Sequence, residues 1–207
     1  VKYKDVEAFE DGYIDLCLFN GGIRSDENKH MAELLRAKSK TLVAFGSCAC
    51  EGCIPGLANQ YSVESMLDYV YGESPSTVNP EGHRPQVRFD MPEGEIEIPK
   101  LLDRLSPLDD VVDVDYYIPG CPPQAPQIVA VMKAIMDGAE LPPKGSVIGA
   151  GTKTICDECP RERKEKKIRG FKRPATAQPN PEECFLDQGF ICLGPATRSG
   201  CGGLCVK

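Results

Sequence analysis

Short apolar runs alternate with segments of helical periodicity along the first two thirds of the chain. The runs at residues 13–19 and 41–45 are each followed by Asn or Gly, which is typical of buried parallel strands. Between them, apolar residues recur at helical spacing after Ser25 or Asp26, either of which can cap a helix. The pattern predicts a strand–helix–strand unit.

A third apolar run, at residues 111–120, precedes a segment with prolines near its start and Gly138 at its end, which predicts a helix. Residues 72–96 are rich in Pro, Gly and Glu and predict a long surface excursion. Alternating strands and helices of this kind predict the α/β class, with a flavodoxin-like, doubly wound parallel sheet that has helices on both faces.

The composition changes after about residue 141. A Pro- and Gly-containing linker follows, and from Ile155 onward the hydrophobic periodicity disappears, while six of the eleven cysteines fall in this last part. A segment that cannot bury a core usually needs disulfides or metal to hold its shape. We therefore predict two domains: a flavodoxin-like domain at residues 1–140 and an irregular, cysteine-rich domain at residues 141–207.

Charge and apolar run lengths narrow the class of protein. The net charge of −7 argues against a general nucleic-acid binder, which usually carries a basic face. No apolar run approaches the roughly 18 residues of a membrane span, and no signal peptide is recognisable. The first residue is Val1 rather than Met, so the sequence leaves room for a leader that precedes it.

Eleven cysteines leave three interpretations: disulfides, metal sites or scattered core thiols. The odd number argues against complete disulfide pairing. Cys48, Cys50 and Cys53 also lie too close in sequence to bridge one another without strain. Metal ligation is therefore the favoured interpretation.

Two cysteines stand where parallel strands are predicted to end. Cys48, in the stretch GSCACEGCIPG, follows the second predicted strand, and Cys121 follows the third. Functional groups gather at the carboxyl ends of strands in open α/β sheets, and the neighbouring glycines and prolines would let backbone approach a bulky inorganic centre. The alternative is that both are buried structural thiols.

The cysteine-rich tail has an irregular ligand spacing. Its cysteines are Cys156, Cys159, Cys184, Cys192, Cys201 and Cys205. A zinc ribbon would repeat its C-x2-C pair, which occurs here once, whereas four thiolates around a 4Fe–4S cube tolerate wider spacing. Zinc remains the alternative by ligand type.

Three motifs in order carry a resemblance to a known family. GSCACEGCIPG, IPGCPP at residues 118–123 and ECFLDQGFICLGPATRSGC at residues 183–201 together resemble the small, electron-transferring subunit of nickel–iron hydrogenases. The resemblance covers almost the whole chain and is nearest to the cytoplasmic type that works with heterodisulfide reductase or similar acceptors.

The resemblance implies three 4Fe–4S clusters. Cys48 and Cys121 match ligands of the proximal cluster, which in this family lies beside the nickel–iron centre of the large subunit. The distal-cluster ligands are matched by Cys156, Cys159, Cys184 and Cys192. Cys201 and Cys205 match medial-cluster ligands.

The sequence departs from the family pattern at both ends. The family supplies two more proximal ligands from a C-x2-C pair before its first strand, and a further C-x2-C pair after the position of Cys205. Cys17 lies inside a predicted strand and has no such partner, and the sequence stops at Lys207. We therefore expect the sequence to be shorter than family members at both ends.

A 4Fe–4S cluster takes four thiolate ligands, and Cys50 and Cys53 are additional to that number. Cys53 stands where some relatives of this family carry an additional cysteine beside the proximal cluster. The alternative is that both thiols pack beneath the loop, as small buried thiols commonly do.

The function implied is electron transfer between a hydrogenase large subunit and a further electron-accepting subunit or redox protein, in the cytoplasm. The chain would have no active site of its own. Two alternatives stay open. One is the related cluster-bearing subunit of complex I, which shares the PGCPP loop and lacks a cysteine-rich tail. The other is a zinc-stapled interaction protein.

Overall fold

The structure is a computed structural model that describes residues 3–164, 168 and 170–204. Its helices are α1 (Tyr3–Glu7), α2 (Asp26–Lys38), α3 (Ser47–Glu51), α4 (Val63–Asp68) and α5 (Ala125–Met136). Its strands are β1 (Ile14–Asn20), β2 (Ile23–Ser25), β3 (Ser39–Phe45), β4 (Arg88–Met91), β5 (Gly94–Glu97), β6 (Leu101–Ser106), β7 (Tyr116–Ile118) and β8 (Ser146–Val147). Short 3-10 helices cover Ile54–Gln60, Leu108–Asp110, Ile155–Asp157 and Gly194–Ala196, and a π-helical turn covers Tyr69–Glu73.

The chain divides by its contacts into two compact units. Unit 1 comprises Val1–Pro122 and Pro142–Val147, and unit 2 comprises Pro123–Leu141 and Ile148–Lys207. Helix α5 belongs to unit 2 by this division, although its sequence lies before the predicted boundary at residue 140. The two-domain boundary itself stays a prediction.

Unit 1 is built on a four-stranded parallel sheet in the order β1-β3-β7-β8. Helices α2 and α3 flank it and contact β1 and β3. Ser25 begins α2 as expected, because its side chain accepts a hydrogen bond from the Asn28 N–H while the Asn28 side chain accepts one from the Ser25 N–H. The predicted α/β class with a parallel sheet is confirmed.

The core of unit 1 joins the sheet to these two helices. Its buried cluster consists of Phe19, Ile23, Ala32, Leu42, Ala44, Ala49 and Leu108. Ala32 comes from α2 and Ala49 from α3, so small side chains stand where each helix meets the sheet. This packing fixes the two ends of β3, and its carboxyl end leads directly into the cysteine loop.

Residues 72–96, for which the sequence predicts a surface excursion, are mostly exposed. Strands β4 and β5 pair as an antiparallel hairpin in which Phe89 lies opposite Ile96. These two side chains share one face with Val87, Met91 and Ile98, and all five are exposed. The other face carries charge, including an Arg88–Glu97 ion pair of 3.3 Å.

Unit 2 has little apolar interior. In its described part the buried apolar side chains are Pro123, Val131, Ile155 and Phe190. Backbone hydrogen bonds between distant segments hold the chain beyond residue 148, as between Ile155 N–H and Thr197 O at 2.9 Å. The predicted cysteine-rich region with little regular secondary structure is confirmed. Over the described residues, no helix is long and apolar enough to cross a bilayer.

A buried carboxylate, Asp115, ties the elements of unit 1 together just before β7. It accepts hydrogen bonds from Arg36 Nη1 and from the Leu42 N–H, both at 2.8 Å, and lies 2.5 Å from Lys144 Nζ. Its side chain is 6% exposed. Burial raises the pKa of Asp115, but the hydrogen bonds from Lys144, Arg36 and Leu42 outweigh it and lower the pKa to about 2.

We predict that Asp115→Asn destabilises the protein strongly. The change removes one partner of a buried ion pair and leaves the Arg36 guanidinium without its carboxylate, which typically costs about 3–5 kcal/mol. Urea unfolding followed by circular dichroism measures the loss. The matched control is Asp113→Asn, an exposed aspartate two residues earlier, and an equal loss in both variants would contradict the assignment.

The same carboxylate makes part of the stability pH-dependent. Its folded pKa of about 2 lies below the ordinary value of about 3.9 in an unfolded chain. Its contribution is therefore complete above about pH 4 and is lost as the pH falls through about 2. The difference in unfolding free energy between the parent and Asp115→Asn should shrink by roughly 2 kcal/mol over that window, and a constant difference would refute this origin.

Candidate functional site

The carboxyl ends of β3 and β7 lie side by side and hold two loops together. Gly46 N–H donates to Ile118 O, and Ser47 N–H donates to Gly120 O, both at 2.8 Å. The Ser47 hydroxyl accepts a further hydrogen bond of 3.1 Å from Gly120 N–H. These bonds join the turn that carries Cys48 to the loop that carries Cys121.

Three thiols gather at this edge of the sheet. Cys53 lies beside Cys48, and Cys121 lies close enough to act electrostatically on Cys48. Burial, followed by these two neighbouring thiols, raises the pKa of Cys48. The raised pKa favours the neutral thiol of Cys48 near pH 7, and a bound metal centre would replace that proton.

The two additional cysteines of this loop have different environments. Cys50 Sγ donates to Ala44 O at 3.3 Å and packs against the core, and burial raises its pKa to about 12. Cys53 faces Cys48 instead, and it has a φ of +47°, the one positive φ of a non-glycine residue in the described part of the chain. The packing interpretation therefore fits Cys50 and does not fit Cys53.

Cys17 is also a packing residue. It lies in β1, contacts the core of unit 1, and has its pKa raised by burial. This environment agrees with its sequence position inside a strand, without a cysteine two residues away.

Unit 2 gathers four thiols around one cavity. The segments at residues 155–163, 184–186 and 192–195 line it, and together they contribute Cys156, Cys159, Cys184 and Cys192. The space between its walls, including the part open to solvent, is about 360 Å³. Arg161 and Arg163 also line the cavity and supply positive charge beside the sulfur atoms.

The cavity suits an iron–sulfur cluster by its donors. Four thiols are the ligand number of a 4Fe–4S cluster. Gly194 N–H donates to Cys192 Sγ at 3.4 Å, and a Cβ at Gly194 would lie 3.4 Å from the sulfur atoms of both Cys156 and Cys192. A glycine at this position keeps that space open and points its amide at a ligand sulfur.

The last two predicted ligands are only partly described. Cys201 is half-buried in a turn of glycines, and Cys205 lies outside the described residues. Within residues 3–164, 168 and 170–204, no three His, Cys, Asp or Glu side chains are grouped so that they could hold one metal ion. The structure places Cys53 and Cys121 near Cys48, and it places the four thiols of unit 2 around the walls of one cavity without grouping them for a single metal ion. Their role as ligands stays a prediction.

A family model matches residues 2–135, described as NADH ubiquinone oxidoreductase, 20 Kd subunit. The chain belongs to this family. The match covers the parallel strands β1, β3 and β7 and both cysteine loops of unit 1, and it ends before the tail that carries six cysteines.

Curated relatives extend the similarity into the tail. An iron-sulfur subunit of the F420-non-reducing hydrogenase of Archaeoglobus profundus is 46% identical over 100% of the chain and 65% of its own length. A vhu subunit of the F420-non-reducing hydrogenase of Methanocaldococcus jannaschii is 42% identical over 93% of the chain and 60% of its own length. The predicted resemblance to small subunits of nickel–iron hydrogenases is confirmed, and the chain spans less than two thirds of these relatives.

A solved structure supports the same relationship. The NAD+-reducing NiFe-hydrogenase in its H2-reduced state has a chain that matches with a TM-score of 0.54 and 34% identity, over 63% of this chain and 70% of its own. The relatives are thus subunits of oxidoreductase complexes.

Sequence reasoning left two features of these sites unassigned. The pairing of Cys53 with Cys48 depends on the unusual backbone at Cys53, for which the sequence gives no signal other than the adjacent Gly52. The carboxylate of Glu158 reaches the turn of Cys201. In the sequence, Glu158 lies inside the C-x2-C pair and cannot be distinguished from an ordinary surface residue of a loop.

We predict that the thiols of metal-free protein differ strongly in alkylation rate. Cys121 is exposed, whereas burial raises the pKa of Cys50 to about 12 and leaves little thiolate near pH 8. Iodoacetamide labelling followed by peptide mass spectrometry should modify Cys121 early and Cys50 last. Urea-unfolded protein, in which all thiols are accessible, is the control; equal rates in the folded protein would contradict the described geometry.

Proposed function

We propose that the chain is the iron–sulfur electron-transfer subunit of a nickel–iron hydrogenase. It would relay electrons between the nickel–iron centre of a large subunit and an external acceptor, during dihydrogen oxidation or proton reduction. The observation that carries the proposal is the cavity of unit 2, where Cys156, Cys159, Cys184 and Cys192 come together from separated segments.

Each group of thiols would have its own role. Cys156, Cys159, Cys184 and Cys192 would hold a distal 4Fe–4S cluster. Cys48 and Cys121 would hold part of a proximal one, while Cys201 and Cys205 would contribute to a medial one. When bound, such clusters accept and release single electrons at potentials that hydrogen bonds and burial tune.

The protein would supply fixed positions and a suitable electrostatic environment. The Gly194 amide and the guanidinium groups of Arg161 and Arg163 lie at the cavity, where positive charge and N–H donors favour anionic sulfur ligands. At the sheet edge, hydrogen bonds between the two loops keep Cys48 and Cys121 in register. We propose no acid–base chemistry for this chain.

The proposed partners are a hydrogenase large subunit and a further electron-accepting subunit or redox protein, and the proposed location is the cytoplasm. The names of the relatives support the first partner, since both belong to hydrogenases.

A complex I-like role is the second candidate, favoured by the description of the matching family model. That model ends at residue 135, whereas the relatives from F420-non-reducing hydrogenases align through the cysteine-rich tail. The tail therefore favours the hydrogenase role. The third interpretation is a zinc-stapled interaction protein. Analysis of the bound metal distinguishes it from the other two, because it would contain zinc instead of iron.

We predict that anaerobically purified protein contains iron and sulfide, and that Cys184→Ser removes about four irons per chain, the content of one cluster. The reason is that the variant withdraws one of the four cavity thiols. Iron and sulfide assays with electron paramagnetic resonance of the reduced protein measure the loss. Cys17→Ala, a packing thiol, is the control, and zinc in place of iron would refute the proposal.

We predict that dye reduction by dihydrogen requires the complex with a large subunit, and that Cys121→Ser lowers it there. The isolated chain would be inactive because dihydrogen needs a metal centre open to substrate. The assay compares the isolated chain, the assembled complex, and complexes that carry Cys121→Ser or Cys17→Ala. Unchanged activity in the Cys121→Ser complex would remove Cys121 from the electron path.

A further inference from the structure

The carboxylate of Glu158 joins two segments of unit 2 that are distant in sequence. Oε1 accepts a hydrogen bond of 2.6 Å from Gly200 N–H, and Oε2 accepts one of 3.0 Å from Gly202 N–H. These two amides flank Cys201 in sequence. One ionised side chain therefore binds the backbone on both sides of that cysteine, through charge-assisted hydrogen bonds of the stronger kind.

Among the described residues, backbone pairing brings the two segments together and ends at Ser199, before Cys201. Ile155 N–H donates to Thr197 O and Ser199 N–H to Lys153 O, both at 2.9 Å, and Gly151 N–H donates to Ser199 O at 2.8 Å. Beyond Ser199, the contacts of Glu158 continue the attachment to residues 200 and 202. The position of Cys201 thus depends on this side chain rather than on further backbone pairing.

The turn at Gly200 has little room to rearrange while it stays attached. A Cβ at Gly200, whose φ is +117°, would lie 3.1 Å from Ala150 Cα, Gln127 Nε2 and Gly151 N. Close packing on one side and the Glu158 carboxylate on the other define where this turn runs.

Glu158 itself is fixed by the turn that carries two cavity thiols. It lies between Cys156 and Cys159, and its N–H donates to Ile155 O at 3.0 Å as the 3-10 helix Ile155–Asp157 ends. The same short turn therefore positions two thiols of the four-thiol cavity and, through Glu158, the Cys201 turn.

We propose that Glu158 is the positioning residue for Cys201. Its carboxylate holds the Gly200–Gly202 turn against the Cys156–Cys159 turn, so that the thiol of Cys201 is in place to ligate a cluster distinct from the one in the cavity. This inference rests on the proposed function, because it assigns Glu158 a role toward the cluster that Cys201 would bind.

The test compares Glu158→Gln with Asp157→Asn in full-length, anaerobically purified protein. Glu158→Gln keeps the size of the side chain but replaces one acceptor oxygen by an NH2 donor that faces a backbone N–H. Asp157→Asn removes the same charge one residue away, where the carboxylate contacts only Thr154 of its own turn among the described residues. Glu158→Asp, which keeps the charge on a shorter side chain, is the second variant.

Two readouts separate positioning from general stability. Hydrogen exchange of the peptide that contains residues 199–204 should become about tenfold faster or more in Glu158→Gln, the factor expected for losing a hydrogen bond to a charged group. The change in the electron paramagnetic resonance spectrum of the reduced protein should match the change caused by Cys201→Ser. Asp157→Asn should leave the exchange of this peptide unchanged and should not reproduce the spectral change caused by Cys201→Ser, and Glu158→Asp should fall between the parent and Glu158→Gln.

Two results would overturn the inference. One is exchange in Glu158→Gln equal to that in Asp157→Asn. The other is faster hydrogen exchange in Glu158→Gln together with a cluster spectrum like that of the parent. In that case Glu158 would stabilise the turn without affecting the cluster that Cys201 would bind. Absence of iron from the parent protein would refute the proposed function instead, while the exchange comparison would still decide whether Glu158 anchors the turn.

Discussion

The buried Asp115 carboxylate is the interaction on which the geometry of unit 1 depends. Its backbone and side chain both bond Leu42, so it sets where β7 starts against β3. Register errors in a sheet move every side chain of the strand, and both cysteine loops begin within a few residues of these strand ends. A slip here would separate Cys48 from Cys121 even though neither residue contacts Asp115.

Much of unit 1 could be predicted from sequence because its elements carry periodic signals. The apolar runs of β1 and β3, the Ser25 cap of α2 and the surface excursion all follow from local patterns. The role of Asp115 could not be predicted, since its partners Arg36 and Lys144 are far away in the sequence and only the fold brings them together. The same is true of Cys53, whose orientation depends on a backbone angle that propensities do not reveal.

In unit 2, beyond helix α5, the hydrophobic periodicity of the sequence no longer predicts the structure. Ligand roles could be proposed for its cysteines from their number, their spacing and the family resemblance, but the path of the intervening chain has no hydrophobic signature. The structure holds that chain by paired backbone segments, by the Gly194 amide and by the Glu158 carboxylate. Such contacts join residues of no distinctive type. The sequence therefore identifies the thiols but does not predict the contacts that hold the chain around them.

The small number of buried apolar side chains in unit 2 has a consequence for the stability of this chain in the cell. Four apolar side chains are buried in the described part of this unit: Pro123, Val131, Ile155 and Phe190. The unit therefore gains little from hydrophobic burial, and a ligand that binds only the folded form contributes directly to its stability. Under the proposed function, cluster delivery and completion of the fold are one event. Iron supply would then set the abundance of the subunit, because chains that stay unloaded remain open to proteolysis.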